Sequence, residues 1–180
     1  MVSRRGFFKS IAKPLRQVEE EETPLLIRPP YGKSESLFQS ECPSCENQAC
    51  VTSCDEQIIF IDKETKTPTL TFAKNGCTFC DECAIACKKG VLQLEEEESS
   101  EPYLNAIFKI SLEACVAHHG VICNACKEPC IDDAILFNGM FNPVIDNEMC
   151  TACGFCISRC PTEAISYRVI PQEEINYETA

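Results

Sequence analysis

The chain contains the stretch Cys150-Thr-Ala-Cys153-Gly-Phe-Cys156-Ile-Ser-Arg-Cys160-Pro161, in which four cysteines stand at short, regular intervals. All sixteen cysteines of the chain fall into four runs of this kind. The second run has the same spacing without the proline, whereas the first and third runs contain longer spacers. In chain order, the runs are Cys42, Cys45, Cys50 and Cys54; Cys77, Cys80, Cys83 and Cys87; Cys115, Cys123, Cys126 and Cys130; and Cys150, Cys153, Cys156 and Cys160.

This spacing is typical of cysteines that hold [4Fe–4S] clusters. Three thiolates on one tight loop can bind three corners of a cube, and in proteins with two clusters the fourth cysteine of the run ligates the neighbouring cluster. We therefore expect about three to four clusters, most simply four, with every cysteine as a ligand. The predicted sets are Cys42, Cys45, Cys50 and Cys87 (site I); Cys54, Cys77, Cys80 and Cys83 (site II); Cys115, Cys123, Cys126 and Cys160 (site III); and Cys130, Cys150, Cys153 and Cys156 (site IV).

Other interpretations of the cysteines remain open from the sequence. Structural zinc usually takes paired C-x2-C knuckles, so zinc fits the irregular first and third runs better than the other two. A disulfide framework is typical of small secreted proteins, and the chain shows no cleavable signal peptide. Buried free thiols would not need such regular intervals. His118 and His119 stand in the spacer of the third run, where they are either ligands or part of an exposed loop.

Apolar residues recur at fixed distances from the cysteine runs, which indicates an internal repeat. Each run is expected to form a strand, a ligand loop, a short helix and a second strand. Three residues separate the last cysteine of each run from an apolar pair, and these pairs are Ile58-Ile59, Val91-Leu92, Ala134-Ile135 and Ala164-Ile165. Five residues before the first cysteine stand Leu37, Phe72, Ile110 and Ile145.

The acidic stretch 95–102 between the second and third runs predicts an exposed linker, so the runs pair as one with two and three with four. The predicted fold is α+β, a tandem pair of two-cluster, bacterial ferredoxin-like units with short β-hairpins and short helices. Such small units would depend on their clusters for stability. The expected boundaries are an N-terminal segment 1–37, a first unit 38–94, a linker 95–108, a second unit 109–168 and a tail 169–180. The expected hairpins pair 58–62 with 69–72 and 135–137 with 143–146.

Composition limits the partners of the protein. The chain has 180 residues and a net charge of −12, which disfavours binding to nucleic acid and to anionic membranes. No apolar stretch of about 18 residues is present, so no membrane span is predicted. Residues 3–9 (Ser-Arg-Arg-Gly-Phe-Phe-Lys) are similar to a twin-arginine export signal, but charged residues interrupt the apolar segment that should follow. These features predict a cytoplasmic protein.

The sequence contains no pattern that predicts an enzyme. Its glycines form no G-x-G-x-x-G phosphate loop, and its serines and histidines are too scattered to indicate a nucleophile–base pair. We therefore predict an electron-transfer or accessory iron–sulfur protein. Lys88 and Lys89 follow the second run, where positive charge would raise the reduction potential of a nearby cluster.

The chain resembles the NapF-type ferredoxins, which are cytoplasmic accessory proteins of periplasmic nitrate reductase systems. The resemblance covers most of residues 1–168 and includes the order of the four runs. Its other features are the Ser3-Arg4-Arg5 start, the Arg28-Pro29-Pro30 segment, the long spacer between Cys115 and Cys123, and the segment Cys160–Ile165. The first run departs from the family because four residues, 46–49, stand where two are more usual. Whether the first and third runs complete a cube is thus left open.

The resemblance implies a role in the maturation of the nitrate reductase catalytic subunit. The partner would be the precursor of that subunit before export, and the protein would deliver electrons or cluster components to it. The alternative function is that of an electron carrier or an electron-transfer subunit of a larger oxidoreductase.

Overall fold

The computed structural model describes residues 25–94, here called the first half, and residues 102–171, the second half. The helices are α1 (Glu35–Glu41), α2 (Ala49–Thr52), α3 (Glu82–Ile85) and α4 (Phe155–Arg159), with 3-10 turns at Cys42–Ser44 and Val116–His119. The strands are β1 (Ile59–Ile61), β2 (Pro68–Leu70), β3 (Ala106–Ile110), β4 (Ile135–Asn138), β5 (Phe141–Ile145) and β6 (Ile165–Val169). This small mixture of short helices and hairpins confirms the α+β class.

Some sequence features lie outside the described residues. They are the twin-arginine-like start, the acidic tract 19–22, most of the acidic stretch 95–102 and residues 172–180 of the predicted tail. In residues 25–94 and 102–171, no helix has the length and apolar character needed to cross a membrane.

The two predicted hairpins are confirmed. Strands β1 and β2 pair antiparallel with Ile59 opposite Leu70, and β4 and β5 pair with Ile135 opposite Ile145. The β4–β5 turn includes Gly139, whose φ of +69° is a left-handed conformation that glycine adopts without strain.

A third strand pair was not predicted. Strand β3 pairs antiparallel with β6, so that Ala106 lies opposite Val169 and Ile110 opposite Ile165. The strand expected before the third run is therefore present, but its partner comes from the end of the second half. Because the two strands are distant in sequence, no local turn signal announces their pairing.

The first half is closed in another way, and the strand predicted around Leu37 is wrong. Leu37 lies in helix α1, and the next residue of that helix, Phe38, is completely buried. The closing segment is instead 25–33: the N–H of Leu70 donates to the Ile27 carbonyl at 2.9 Å, and Gly32 forms an isolated bridge with Leu92.

The internal repeat also appears in the backbone conformation. The third residue after the last cysteine of every run has a positive φ: Gln57 at +54°, Gly90 at +66°, Asp133 at +52° and Glu163 at +52°. This turn directs the following apolar pair inward, and all eight residues of the four pairs are buried. The fixed spacing in the sequence therefore reflects one repeated turn.

Most buried apolar residues of the two halves join in one core, and a smaller cluster contains Cys115, Ala117 and Ala164. The ring of Phe72 lies 5.9 Å from the ring of Phe108 in the other half, and Tyr167 packs edge-on against both. Ile59 and Ile135 belong to the same cluster. The division into two independent units stays a prediction.

A buried cation holds the closing segment of the first half. Arg28 is only 2% exposed, and its guanidinium donates to Thr67 Oγ1 and to the Pro68 carbonyl, both at 2.7 Å. It also pairs with both carboxylate oxygens of Glu35 and lies 4.7 Å above the Phe38 ring. These contacts satisfy the buried charge, which would otherwise carry a large desolvation cost.

Asn105 connects this segment to the second half. Its side-chain oxygen accepts a hydrogen bond from the Arg28 N–H at 2.9 Å. Its amide group donates to the carbonyls of Leu26 and Ile170, each at 3.1 Å. One side chain therefore ties both ends of the described chain together.

Candidate cluster-binding sites

Four cavities in the described chain are each lined by four cysteines. The structure brings together the same sets that the crossed pattern grouped, and each set takes one cysteine from the partner run of its half. Cys42, Cys45, Cys50 and Cys87 line site I; Cys54, Cys77, Cys80 and Cys83 line site II; Cys115, Cys123, Cys126 and Cys160 line site III; and Cys130, Cys150, Cys153 and Cys156 line site IV. That these residues are cluster ligands stays a prediction.

The four cavities differ in size and are open to solvent. Counted with their open mouths, they contain about 300 to 590 Å³. Within residues 25–94 and 102–171, no three His, Cys, Asp or Glu side chains converge on a point that would hold a single metal ion. All sixteen cysteines are free thiols. The thiols thus surround a space, as an iron–sulfur cube requires.

The electrostatics of the sites also fit a positively charged occupant. Burial, followed by the charges of neighbouring thiolates, raises the pKa of Cys83 and Cys156 to about 12. The same causes raise the pKa of Cys42 and Cys50 to about 11. Four thiolates around one cavity repel each other, and iron would supply the compensating charge.

Runs two and four share one loop conformation. The second residue after the first cysteine has a positive φ in both, at Phe79 (+53°) and Ala152 (+61°). A second left-handed residue, Asp81 or Gly154, precedes the short helix that carries the third cysteine. The identical cysteine spacing of these runs therefore corresponds to the same two left-handed positions and a short helix in each loop.

The first run tolerates its two extra residues. Gln48, with a φ of +43°, immediately precedes helix α2, and this helix brings Cys50 to the cavity wall beside Cys45. The two extra residues of the first run therefore leave both Cys45 and Cys50 in the wall of site I.

The long spacer of the third run folds into the 3-10 turn Val116–His119. His118 Nε2 donates to the Pro143 carbonyl at 3.1 Å, and His119 Nε2 donates to the Glu113 carbonyl at 2.9 Å. Neither histidine lines site III, whereas Cys115 does and is buried. The spacer therefore leaves site III with four cysteines, and the histidines serve to hold the loop.

Backbone N–H groups reach the fourth cysteine of two runs. The Leu92 N–H lies 3.5 Å from the sulfur of Cys87, and the Ala164 N–H lies 3.2 Å from the sulfur of Cys160. Both donors belong to the apolar pair that follows the run. Such hydrogen bonds favour the more negative, reduced state of a cluster and raise its potential.

Lys88 and Lys89 line site I, as their position after the second run implied. The ammonium of Lys89 lies 3.1 Å from Ser44 Oγ and 3.6 Å from Glu41 Oε2. The cation is therefore held at the mouth of the site, although it belongs to the second run.

One residue that supports site IV was missed from the sequence. The carboxylate of Asp132 accepts hydrogen bonds from the N–H of Thr151 at 3.1 Å and from its hydroxyl at 2.6 Å. It thereby fixes the start of the fourth run from the end of the third. An aspartate two residues after a cysteine carries no sequence signal of this role.

Comparisons with known proteins agree with the chemistry of these sites. The family described as 4Fe-4S binding domain matches residues 143–166, which contain the fourth run. The ferredoxin-type protein NapF of Escherichia coli (strain K12) is 31% identical over 144 residues, covering 78% of this chain and 83% of the relative. The ferredoxin-type protein NapG of Haemophilus influenzae is 25% identical over 167 residues, covering 82% of this chain and 59% of the relative. The methylamine utilization ferredoxin-type protein MauM of Methylophilus methylotrophus is 26% identical over 164 residues, covering 82% and 72%.

Proposed function

Since the chain belongs to the family of the ferredoxin-type protein NapF, we propose that it binds four [4Fe–4S] clusters and acts in the maturation of the catalytic subunit of a periplasmic nitrate reductase. The family supplies the iron–sulfur character, and the observation that carries the cluster number is the set of four cavities with four cysteines each. Each cysteine would bind one iron corner, and all sixteen thiols of the chain would be used.

The clusters would supply one-electron chemistry, and the protein side would control it. The chain's thiols hold the clusters, the backbone donors at Cys87 and Cys160 stabilise the reduced state, and the apolar core keeps water from the buried side of each site. The partner would be the precursor of the reductase catalytic subunit in the cytoplasm. Electrons or cluster components would be delivered to that precursor before its export.

The net charge supports an encounter with a basic surface. A charge of −12 steers the protein toward a positively charged patch on its partner, and association would weaken as salt is added. This steering does not depend on any one residue, because acidic side chains are distributed along the whole chain.

The alternative function is electron transfer without a role in maturation. It is favoured by the similarity to MauM, whose name places that relative in methylamine utilization. In this case the shared part of these proteins is the cluster-binding scaffold, and the donor or acceptor differs between systems.

Cluster content is tested on protein purified without oxygen. Four cubes predict about sixteen iron and about sixteen sulfide ions per chain, with little zinc. A colourless preparation that contains zinc and no sulfide would refute the cluster assignment.

The maturation role is tested by capture of the precursor. The holoprotein, immobilised through its C-terminus, is exposed to cytoplasmic extract that contains the reductase precursor and, as a control, to extract that contains an unrelated exported precursor. Specific retention of the former, reduced by salt, is expected. Equal retention of both, or of neither, together with rapid electron exchange with a dehydrogenase, would favour the alternative.

A further inference from the structure

Sites II and IV meet at the contact between the two halves. The N–H of Cys77, which lines site II, donates to the carbonyl of Cys153, which lines site IV, at 2.7 Å. The two ligand loops are thus in direct backbone contact, although they belong to different halves.

Glycine is needed for this approach. A Cβ atom added to Gly76 would lie 2.5 Å from the Phe155 nitrogen and 2.6 Å from the Cys153 oxygen, both backbone atoms. A Cβ atom at Gly154 would lie 2.2 Å from the Phe72 ring. Real Cβ atoms do not come this close to backbone, so a larger residue at Gly76 would push the two loops apart, and one at Gly154 would displace the Phe72 ring.

Within each half, two sites share the same elements. Helix α2 contains Cys50 of site I and is followed by Cys54 of site II, while α3 contains Cys83 of site II and is followed by Cys87 of site I. The same alternation occurs in the second half at the third and fourth cysteines of its two runs, so sites III and IV adjoin. Sites I and III lie in different halves, and neither contains Cys77 or Cys153, which make the contact between the loops.

We infer that the four sites form one unbranched electron path in the order I–II–IV–III, and that its middle step crosses between the halves at the Gly76-Cys77 and Cys153-Gly154 contact. This inference rests on the proposed function, because it requires clusters in the sites. In each step one electron leaves a reduced cluster, which is oxidised by one unit, and enters its neighbour, which is reduced by one unit. No external co-reactant takes part in these internal steps. Sites I and III are the terminal positions at which a donor or an acceptor docks.

The order of the four sites is tested with full-length variants that each retain only two chosen clusters. The double variant C45S/C123S removes one ligand each from sites I and III and retains sites II and IV. The matched double variant C45S/C150S retains sites II and III. Iron and sulfide analysis verifies two clusters in each, and low-temperature EPR is recorded with both clusters reduced by dithionite or, if needed, a stronger reductant.

Magnetic interaction between the clusters is the readout. Because dipolar coupling falls with the cube of the distance, we expect a broadened, split spectrum when sites II and IV remain. The pair of sites II and III should give the sum of two separate signals. Two intact but uncoupled clusters in C45S/C123S would overturn the path, whereas absence of iron and sulfide from the unaltered protein would refute the proposed function instead.

The glycine contact is tested by Gly76→Ala in the C45S/C123S background. Its methyl group meets backbone, so the coupling should be largely lost while both clusters remain. Gly139→Ala is the control, since a Cβ there meets nothing within 4 Å although its φ is positive. Should the double variants fail to fold, the two alanine variants are compared in the otherwise unaltered chain. A change in the fully reduced spectrum only for Gly76→Ala supports the contact, and identical spectra refute it.

Discussion

Each half of the molecule contains two cavities that are lined by four cysteines each. The two halves differ in the segment of chain that packs against these cysteine loops and completes the fold of the half. The second half uses the paired strands β3 and β6. The first half uses the segment 25–33, which is held by the hydrogen bond from Leu70 to Ile27, an isolated bridge at Gly32 and the buried side chain of Arg28. The cysteine loops and the turns that follow them are present in both halves, whereas the segments that complete the fold of each half differ.

This difference shows which part of the repeat is under chemical constraint. A cube requires thiols at set positions, so the ligand loops keep one conformation where their spacing is equal. The segment that closes each half needs only to bury apolar surface and to pair backbone groups. A pair of strands does this in the second half, and the hydrogen bonds of Arg28, here called the Arg28 clamp, contribute to it in the first half. We therefore expect removal of iron to destabilise both halves, and substitution of Arg28 to destabilise mainly the first half.

The largest expected effect is that of iron removal. The core shared by the two halves is small and includes cysteines of both, so anaerobic chelation should unfold both halves. Far-UV circular dichroism and limited proteolysis measure the loss, and restoration by iron with sulfide, but not by zinc, is the control. Protection of the second half alone would show that β3–β6 pairing suffices without clusters and would sharpen the contrast between the halves.

A smaller effect is expected from Arg28→Met, which keeps much of the side-chain volume. The buried Pro68 carbonyl and Thr67 hydroxyl lose their donor, which should lower the free energy of unfolding by about 2–4 kcal/mol. The control is Asp133→Asn, which breaks an exposed ion pair with Lys127; this carboxylate is 84% exposed, so its loss should cost under about 1 kcal/mol. Anaerobic urea titration measures both.

The rate of iron loss from individual sites shows which half Arg28 stabilises. Iron should leave site I of Arg28→Met faster than it leaves site III, because Arg28 packs on Phe38, which lines site I. Equal iron loss from both sites would mean that the contacts of Arg28 do not act mainly on the first half. Equal destabilisation by the two variants would mean that these buried contacts contribute no more than an exposed ion pair.

The smallest effect is expected from Lys89→Gln. Loss of the positive charge at the mouth of site I should lower the potential of that cluster, by less than about 60 mV, because the ammonium is 41% exposed and screened. The control is Lys63→Gln, at an exposed lysine that lines none of the four cavities. EPR-monitored titration measures both, with the site I signal identified by its absence in Cys45→Ser. A shift that is unchanged in high salt, or one that is equal for both variants, would contradict the assignment.

Features that depend on neighbouring residues were predictable from the sequence. The two hairpins and the burial of the four apolar pairs follow from short-range patterns, and the sets of cysteines around the cavities follow from their spacing. The helix at Leu37 was missed because the repeat suggested a strand, and the need to bury Phe38 beneath Arg28 prevailed over it.

By itself, the sequence determined that sixteen cysteines stand in four runs and that the two runs of each half exchange one cysteine, because this spacing is the pattern of two-cluster proteins. Only the tertiary structure decided which of these loops touch across the halves and how each half is closed. The contact of Cys77 with Cys153, the pairing of β3 with β6 and the bonds of Asn105 join residues far apart in the chain. Such contacts depend on shape and backbone hydrogen bonding, which no local pattern of residues records.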